Sequence, residues 1–275
     1  MMQSVPATAT VNRLAQKSLR ATTAPLRRLP DFLIIGVMKA ATSSLFGHLQ
    51  QHPRIVSPYK KEVHFFDSNF DRGPLWYRAH FPLAGGGDSL TGEATPSYIL
   101  NPHAPERIRR TLGDVPLILM LRDPVDRAFS HYRHMVRVGK EQRSFAEAID
   151  NEDFVAAEMA KVMSDPRYAD IQLRDKSYLL RGLYLEQIRR YLAHFERDRI
   201  HIVGYEDFVR GPQETMAGVC RFLGIEPFAF DCSRQHNVGI GGKLELAMKS
   251  RLVDYYREPN RALYDYLGRD FGWTS

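Results

Sequence analysis

The chain's 275 residues suffice for one large α/β domain or two small ones. Its 44% apolar and 25% charged content supplies a buried core, which excludes collagen-like, coiled-coil and disordered classes. A formal net charge of +6 concentrates anions near the surface, whether nucleotide, nucleic acid, acidic glycan or membrane, and it also serves plain solubility.

Residues 1–30 carry Arg13, Lys17, Arg20, Arg27 and Arg28, no acidic residue, and many Ala, Thr and Ser. This composition is expected of a flexible basic arm, with an organellar transit peptide as the other reading. From Asp31 a nearly all-apolar run reaches Gly36, as for a strand buried on both faces of a parallel sheet. Residues 37–44 form a polar loop, and Leu45, Phe46 and Leu49 mark one face of a helix that closes at His52-Pro53. Gly85-Gly-Gly87 reads as a loop tip. A second buried strand spans Val115–Leu121; Arg122-Asp-Pro124 follows, then a helix from Val125 to Val138. Apolar spacing predicts helices over Tyr178–Phe195 and Thr215–Leu223, with a third strand at Ile200–Tyr205 between them. The tail Leu244–Leu267 is expected to be helical with an interruption at Glu258-Pro259.

Strands alternating with helices predict one α/β domain, residues 31–275, whose central, mainly parallel sheet is flanked by helices. Sheets of this kind bind ligands at the carboxyl ends of their strands. No apolar run reaches the ~18 residues needed to span a bilayer. The two cysteines, Cys220 and Cys232, make neither a disulfide framework nor a zinc site, and Cys220 falls in an apolar helical pattern, so a reducing, cytoplasmic setting is expected.

Two loops leave predicted strand ends, and both are rich in phosphate-binding residue types. In the first, Gly36-x-x-Lys39-x-x-Thr42 joins a strand to a helix start, the arrangement that offers free backbone N–H groups and a positive dipole end to an anion. Lys39 adds a point charge, and Thr42, Ser43 and Ser44 add hydroxyls; the plainer alternative is that these hydroxyls only cap the helix. The loop is not a Walker A sequence, because Ala40 follows Lys39 and the second glycine is missing. A magnesium-bridged γ-phosphate is therefore not expected, which disfavours a P-loop nucleotide kinase or other phosphotransferase, the alternative reading. In the second loop, Arg122 would project from the strand end, with Ser130 about two helical turns on. A guanidinium fork plus a hydroxyl suits a terminal phosphate monoester, unless Arg122 and Arg127 merely pair with Asp123 and Asp126. Two anion sites at neighbouring strand ends imply a ligand phosphorylated at two places.

Four segments in order, Phe32–Thr42, Lys61-Glu-Val-His-Phe-Phe-Asp67, Gly92-Glu-Ala-Thr-Pro-Ser-Tyr98 and Arg122-Asp-Pro-x-x-Arg-x-x-Ser130-x-Tyr132, resemble the heparan-sulfate-type sulfotransferases. The likeness is to the sulfotransferase domain of the glucosaminyl 3-O- and N-sulfotransferases. It runs from about Asp31 to Trp273, through Arg181-Gly-x-Tyr184 to Gly272-Trp273. It implies a P-loop-like α/β fold and a metal-independent enzyme that moves a sulfuryl group from 3′-phosphoadenosine 5′-phosphosulfate (PAPS) to a hydroxyl or amine. By resemblance, Lys39, Ala40, Ala41, Thr42, Ser43 and Ser44 hold the 5′-phosphosulfate, Arg122 and Ser130 hold the 3′-phosphate, and Tyr184 also belongs to the donor site. Glu62 matches the family's general base, with His64 beside it. Burial against Val63, Phe65 and Phe66 is expected to raise the Glu62 pKa, the plainer reading being a surface ion pair with Lys60 or Lys61. His64 reads equally as a catalytic group and as a satisfied core histidine. Glu93 either shapes the acceptor cleft or bonds to backbone; Lys243 either clamps the donor's phosphates or is a solvated loop lysine. Alanines at 40 and 41 stand where the family carries glycines, Ala94 where many members have Lys, and the basic glycine loop near the end is shortened to 237–243. These departures leave donor binding intact and weaken heparan sulfate as the acceptor. Another glycan or a hydroxylated small molecule is expected, and no nucleic acid.

Overall fold

Four apolar runs extend because β-branched and leucine side chains fill both faces of a pleated sheet, and a computed structural model of the chain pairs them all in parallel. It describes residues 16–85, 87–150, 152–168, 171–233 and 244–273. Strands β1 (Phe32–Gly36), β2 (Gly92–Ala94), β3 (Leu117–Leu121) and β4 (Ile200–Gly204) lie in the order β2-β1-β3-β4. Every residue of β1, β2 and β3 is buried, so the sheet is covered on both faces. Each fully buried Leu or Ile there contributes about 1.5–3 kcal/mol against exposure.

β2 is not among the strands that the apolar runs predict, since it is three residues long and begins in glycine. It pairs with β1 in the register Phe32↔Gly92, and a Cβ on Gly92 would lie 2.5 Å from the Phe32 ring. Glycine there is a packing requirement.

Helix Thr42–Leu49 follows β1 and helix Pro124–Arg137 follows β3, so both anion loops open at the same end of the sheet. Asp123 caps the second helix, accepting from the Val125 and Asp126 N–H groups. The predicted Tyr178–Phe195 helix is instead broken: a 3-10 turn at Leu180–Gly182 precedes a helix at Tyr184–Leu192. Close packing imposes the break, since a Cβ on Gly182 would meet the Tyr256 ring and Pro124 within 2.8 Å. The tail, by contrast, is one helix, Leu246–Leu267, with Pro259 inside it. Leu252, Tyr256 and Leu263 are buried on either side of that proline, and their packing outweighs the lost backbone bond.

The segment read as a basic arm is partly structured. Residues 16–22 are helical, Arg27 pairs as a bridge with Leu83, and its guanidinium donates to the Phe81 carbonyl at 2.7 Å. Cys220 is buried, Cys232 half-buried, and both are free thiols. Among the described residues no helix is long and apolar enough to cross a membrane.

Candidate active site

The first loop takes its shape from alternating backbone signs. Lys39 and Ala41 have positive φ (74° and 62°), and Ala41 is the N-cap of helix Thr42–Leu49. Such an alternation turns successive N–H groups inward to form an anion-binding concavity. The helix's first-turn N–H groups lack intrahelical acceptors and add to it. Thr42 and Ser44 are almost fully buried and Ser43 is half-buried, while Ala40 is sealed in the core, so Ala40 can offer a ligand backbone only.

Arg122 leaves β3 and turns directly onto that loop. Its Nη1 donates to the Lys39 carbonyl at 2.9 Å, and its guanidinium lies 4.4 Å from the Tyr205 ring centroid. The two anion loops are therefore one site. No carboxylate balances Arg122 among the ion pairs of the described residues, and its buried Nε has no partner. Asp123 is occupied as a cap, and Arg127 is fully buried with a bond to the Tyr178 carbonyl, so the pairing with Asp123 and Asp126 does not form. Ser130 stands half-buried on the same helix.

Arg137, which motif reading missed, lies near enough for its charge to act on Lys39, with its Nη2 at 3.0 Å from His134 Nδ1. Burial, then the positive charges of Arg137 and Arg122, push the Lys39 amine below its usual range. Two further positive charges thus act on the Lys39 amine, and an anion in the concavity would relieve their repulsion. No linear motif marks Arg137; its helix carries it there.

Two contacts brace the loop from behind. Tyr184, expected to touch the donor, is buried, and its hydroxyl donates to the Arg122 carbonyl at 2.8 Å; it positions Arg122 instead. Glu206 accepts from the Asp123 N–H (3.1 Å) and the Trp273 indole N–H (3.0 Å), tying the chain's end to the site. Lys243 lies outside the described residues.

Glu62, His64 and Asp67 sit beside this cradle. Lys61 Nζ donates to Ser43 Oγ at 2.6 Å and to Glu62 Oε1 at 2.8 Å, linking anion loop and carboxylate through one ammonium. Glu62 is thus ion-paired with Lys61 as the plainer reading had it, but inside the site. His64 Nε2 is 3.7 Å from Glu62 Oε2, and its Nδ1 bonds Asp67 Oδ2 at 2.9 Å. Ser97 donates to that same Asp67 oxygen.

Burial alone would raise the Glu62 pKa, as expected from its apolar neighbours. His64 and Lys61 outweigh it and hold the carboxyl at about 2. Burial likewise works against a charged His64, but Asp67 first and Glu62 second lift it to about 9. The expectation of a raised Glu62 pKa is therefore wrong: the partners matter more than desolvation. His64 is a charged member of the network, not a satisfied core histidine.

Glu93 organises the segment from beneath. Fully buried, it accepts from the Tyr77 and Tyr98 hydroxyls (2.7 and 2.8 Å) through Oε1, and from Thr95 Oγ1 and the Val63 N–H (2.6 and 3.0 Å) through Oε2. Tyr98 in turn accepts the Phe65 N–H at 2.8 Å. The Gly-Glu-x-x-Pro motif thus fixes the backbone on both sides of His64, and Glu93 bonds to backbone without lining the cleft.

Comparisons with known proteins agree with this arrangement. The sulfotransferase domain family model matches residues 29–236. A membrane-associated sulfotransferase, kil1, of Dictyostelium discoideum is 29% identical, over 90% of this chain and 67% of its own length. The heparan sulfate glucosamine 3-O-sulfotransferase 3B1 of Mus musculus is 31% identical, over 90% of this chain and 65% of its own. The chain thus spans about two thirds of the length of these relatives. The crystal structure of a sulfotransferase from Alicyclobacillus acidocaldarius superposes with a TM-score of 0.71 at 30% identity, covering 88% of this chain and 97% of that one. A parallel-sheet, P-loop-like transferase is the class that fold and site define. The chain belongs to the sulfotransferase domain family, among relatives of the heparan-sulfate type.

Proposed function

We propose that the chain transfers a sulfuryl group from PAPS to a hydroxyl or amine by in-line displacement. The observation that carries this is the convergence of Lys39 and Arg122 on one concavity, within reach of the Arg137 charge and one lysine away from a carboxylate. A doubly phosphorylated nucleotide fits: its anionic ends would meet the 39–44 loop on one side and Arg122 with Ser130 on the other. When bound, it supplies the activated sulfuryl group.

The residues then divide the work. Glu62, a carboxylate at neutral pH, accepts the acceptor's proton as the new O–S or N–S bond forms. His64 holds Glu62 anionic and aimed, and Asp67 holds His64. Lys39 offsets the charge that develops on the departing phosphate oxygen. Lys61, bonded to both Ser43 and Glu62, sets the distance between donor loop and base. The acceptor class, glycan or small molecule, and a cytoplasmic setting compatible with the free thiols belong to the same proposal.

Calorimetric titration with adenosine 3′,5′-bisphosphate and with ATP, each with and without magnesium, tests it. The bisphosphate is expected to bind alike in both conditions. Magnesium-dependent ATP binding with no affinity for the bisphosphate would restore the kinase reading.

A further inference from the structure

Lys61 stands where the two halves of the site meet. Its Nζ donates to Ser43 Oγ at 2.6 Å, in the first turn of helix Thr42–Leu49, and to Glu62 Oε1 at 2.8 Å. Donor loop and base are thus two hydrogen bonds apart, joined through one ammonium. An ammonium carries three N–H donors. Two are engaged, and among the described residues no acceptor takes the third.

The backbone under Lys61 is fixed. Its carbonyl accepts the Ala94 N–H of β2 at 3.0 Å, and β2 pairs with β1, the strand that leads into the anion loop. The side chain is 27% exposed, so the ammonium is neither loose in solvent nor sealed in the core. Its bond to Ser43 also sets a cation near the positive end of a helix dipole. An anion between the two makes that placement favourable.

The path of the reaction runs through the same gap. Sulfur starts on the donor's 5′-phosphate oxygen, which the loop holds, and ends on an acceptor atom within hydrogen-bond reach of Glu62. Lys61 spans the distance between those two points.

We propose that Lys61 is a catalytic residue whose third N–H donates to an oxygen of the sulfuryl group itself. The inference rests on the sulfotransferase reading above, and goes beyond a spacing role between loop and base. In the transfer step the acceptor's oxygen or nitrogen bonds to sulfur, and the bond from sulfur to the 5′-phosphate oxygen breaks. The electron pair of that bond leaves on the bisphosphate, and the acceptor's proton passes to Glu62. Lys61 gains and loses no proton; its contact keeps the sulfuryl oxygens oriented as sulfur changes partners. Because the bisphosphate product lacks the sulfuryl group, Lys61 distinguishes PAPS from that product.

Calorimetric titration of Lys61→Met with PAPS and with adenosine 3′,5′-bisphosphate, against the unaltered protein, tests the contact. Methionine keeps an unbranched stem and removes the charge with all three donors. PAPS affinity should fall about tenfold or more, as for a lost charge-assisted bond, while bisphosphate affinity stays within about twofold. Should that variant not fold, Lys61→Gln, polar but uncharged, should show the same selective loss. Unchanged PAPS affinity makes Lys61 a spacer only and overturns the proposal. Equal weakening of both nucleotides puts its contact on the 5′-phosphate and overturns it too. Absence of bisphosphate binding in the unaltered protein overturns the sulfotransferase reading itself.

Discussion

Replacing Asp67 by Asn keeps the shape of the His64 partner and removes its charge. The expected consequence follows from the imidazole's position between two carboxylates, 2.9 Å from Asp67 and 3.7 Å from Glu62. Lifting His64 from 6.5 to about 9 corresponds to about 3 kcal/mol of preference for the charged ring in the folded state. Asp67 is both nearer and more buried than Glu62, so removing its charge removes the larger part of that preference. The sign is that of a raised folded pKa: the stabilisation is complete below 6.5 and is lost as pH rises through 9. Asp67→Asn should therefore cost more at pH 6 than at pH 10, by the larger part of that ~3 kcal/mol, over a pH-independent loss from the weakened Ser97 bond. Urea unfolding at both pH values, with the His64 ring followed by proton NMR, makes the comparison. An imidazole that titrates near 6.5 in the unaltered protein would refute the reasoning, as would an equal loss at both pH values.

Other outcomes can be checked alongside. Glu62→Gln should retain the fold and bisphosphate affinity while turnover of labelled PAPS falls about 10²- to 10⁴-fold, the usual worth of a positioned base. Arg122→Ala should weaken bisphosphate binding by about 1.5–3 kcal/mol in calorimetry, as expected for a lost charge-assisted bond. Glu93→Ala strands the donors of Tyr77, Tyr98, Thr95 and Val63 in the core. At about 1–3 kcal/mol for each unsatisfied group, most of the protein's stability should disappear in a urea titration. Gly36→Ala places a Cβ 2.5 Å from Ile99 Cγ2 and 2.9 Å from Ile99 Cβ; about 1–3 kcal/mol of overpacking should appear as a lowered thermal midpoint.

Much of the site is legible because its parts are local. Lys39 to Ser44 and Arg122 with Ser130 each lie within a short stretch where residue type and spacing carry the chemistry, and Glu62 with His64 is marked by the family resemblance of its segment. Three strands are equally legible, since a strand covered on both faces must be apolar throughout. β2 was hidden because its partner's ring demands glycine at position 92. The Pro259 interruption failed for a related reason, as buried residues on both sides hold the helix together.

The linear order of residues by itself determined the parallel α/β architecture and the two phosphate-type loops, and its resemblance to a known family marked Glu62 as the candidate base. The first two follow from hydrophobic period and from backbone chemistry at strand ends, which need no distant partner. Tertiary structure decided what could not be local. It brought Arg122 onto the Lys39 carbonyl, added Arg137, and turned Tyr184 from a ligand into a brace. It also held Glu62 near 2 where burial alone would have raised it. Electrostatic energy depends on distance in space, and Arg137 comes beside Lys39 only when the sheet and its flanking helix are assembled.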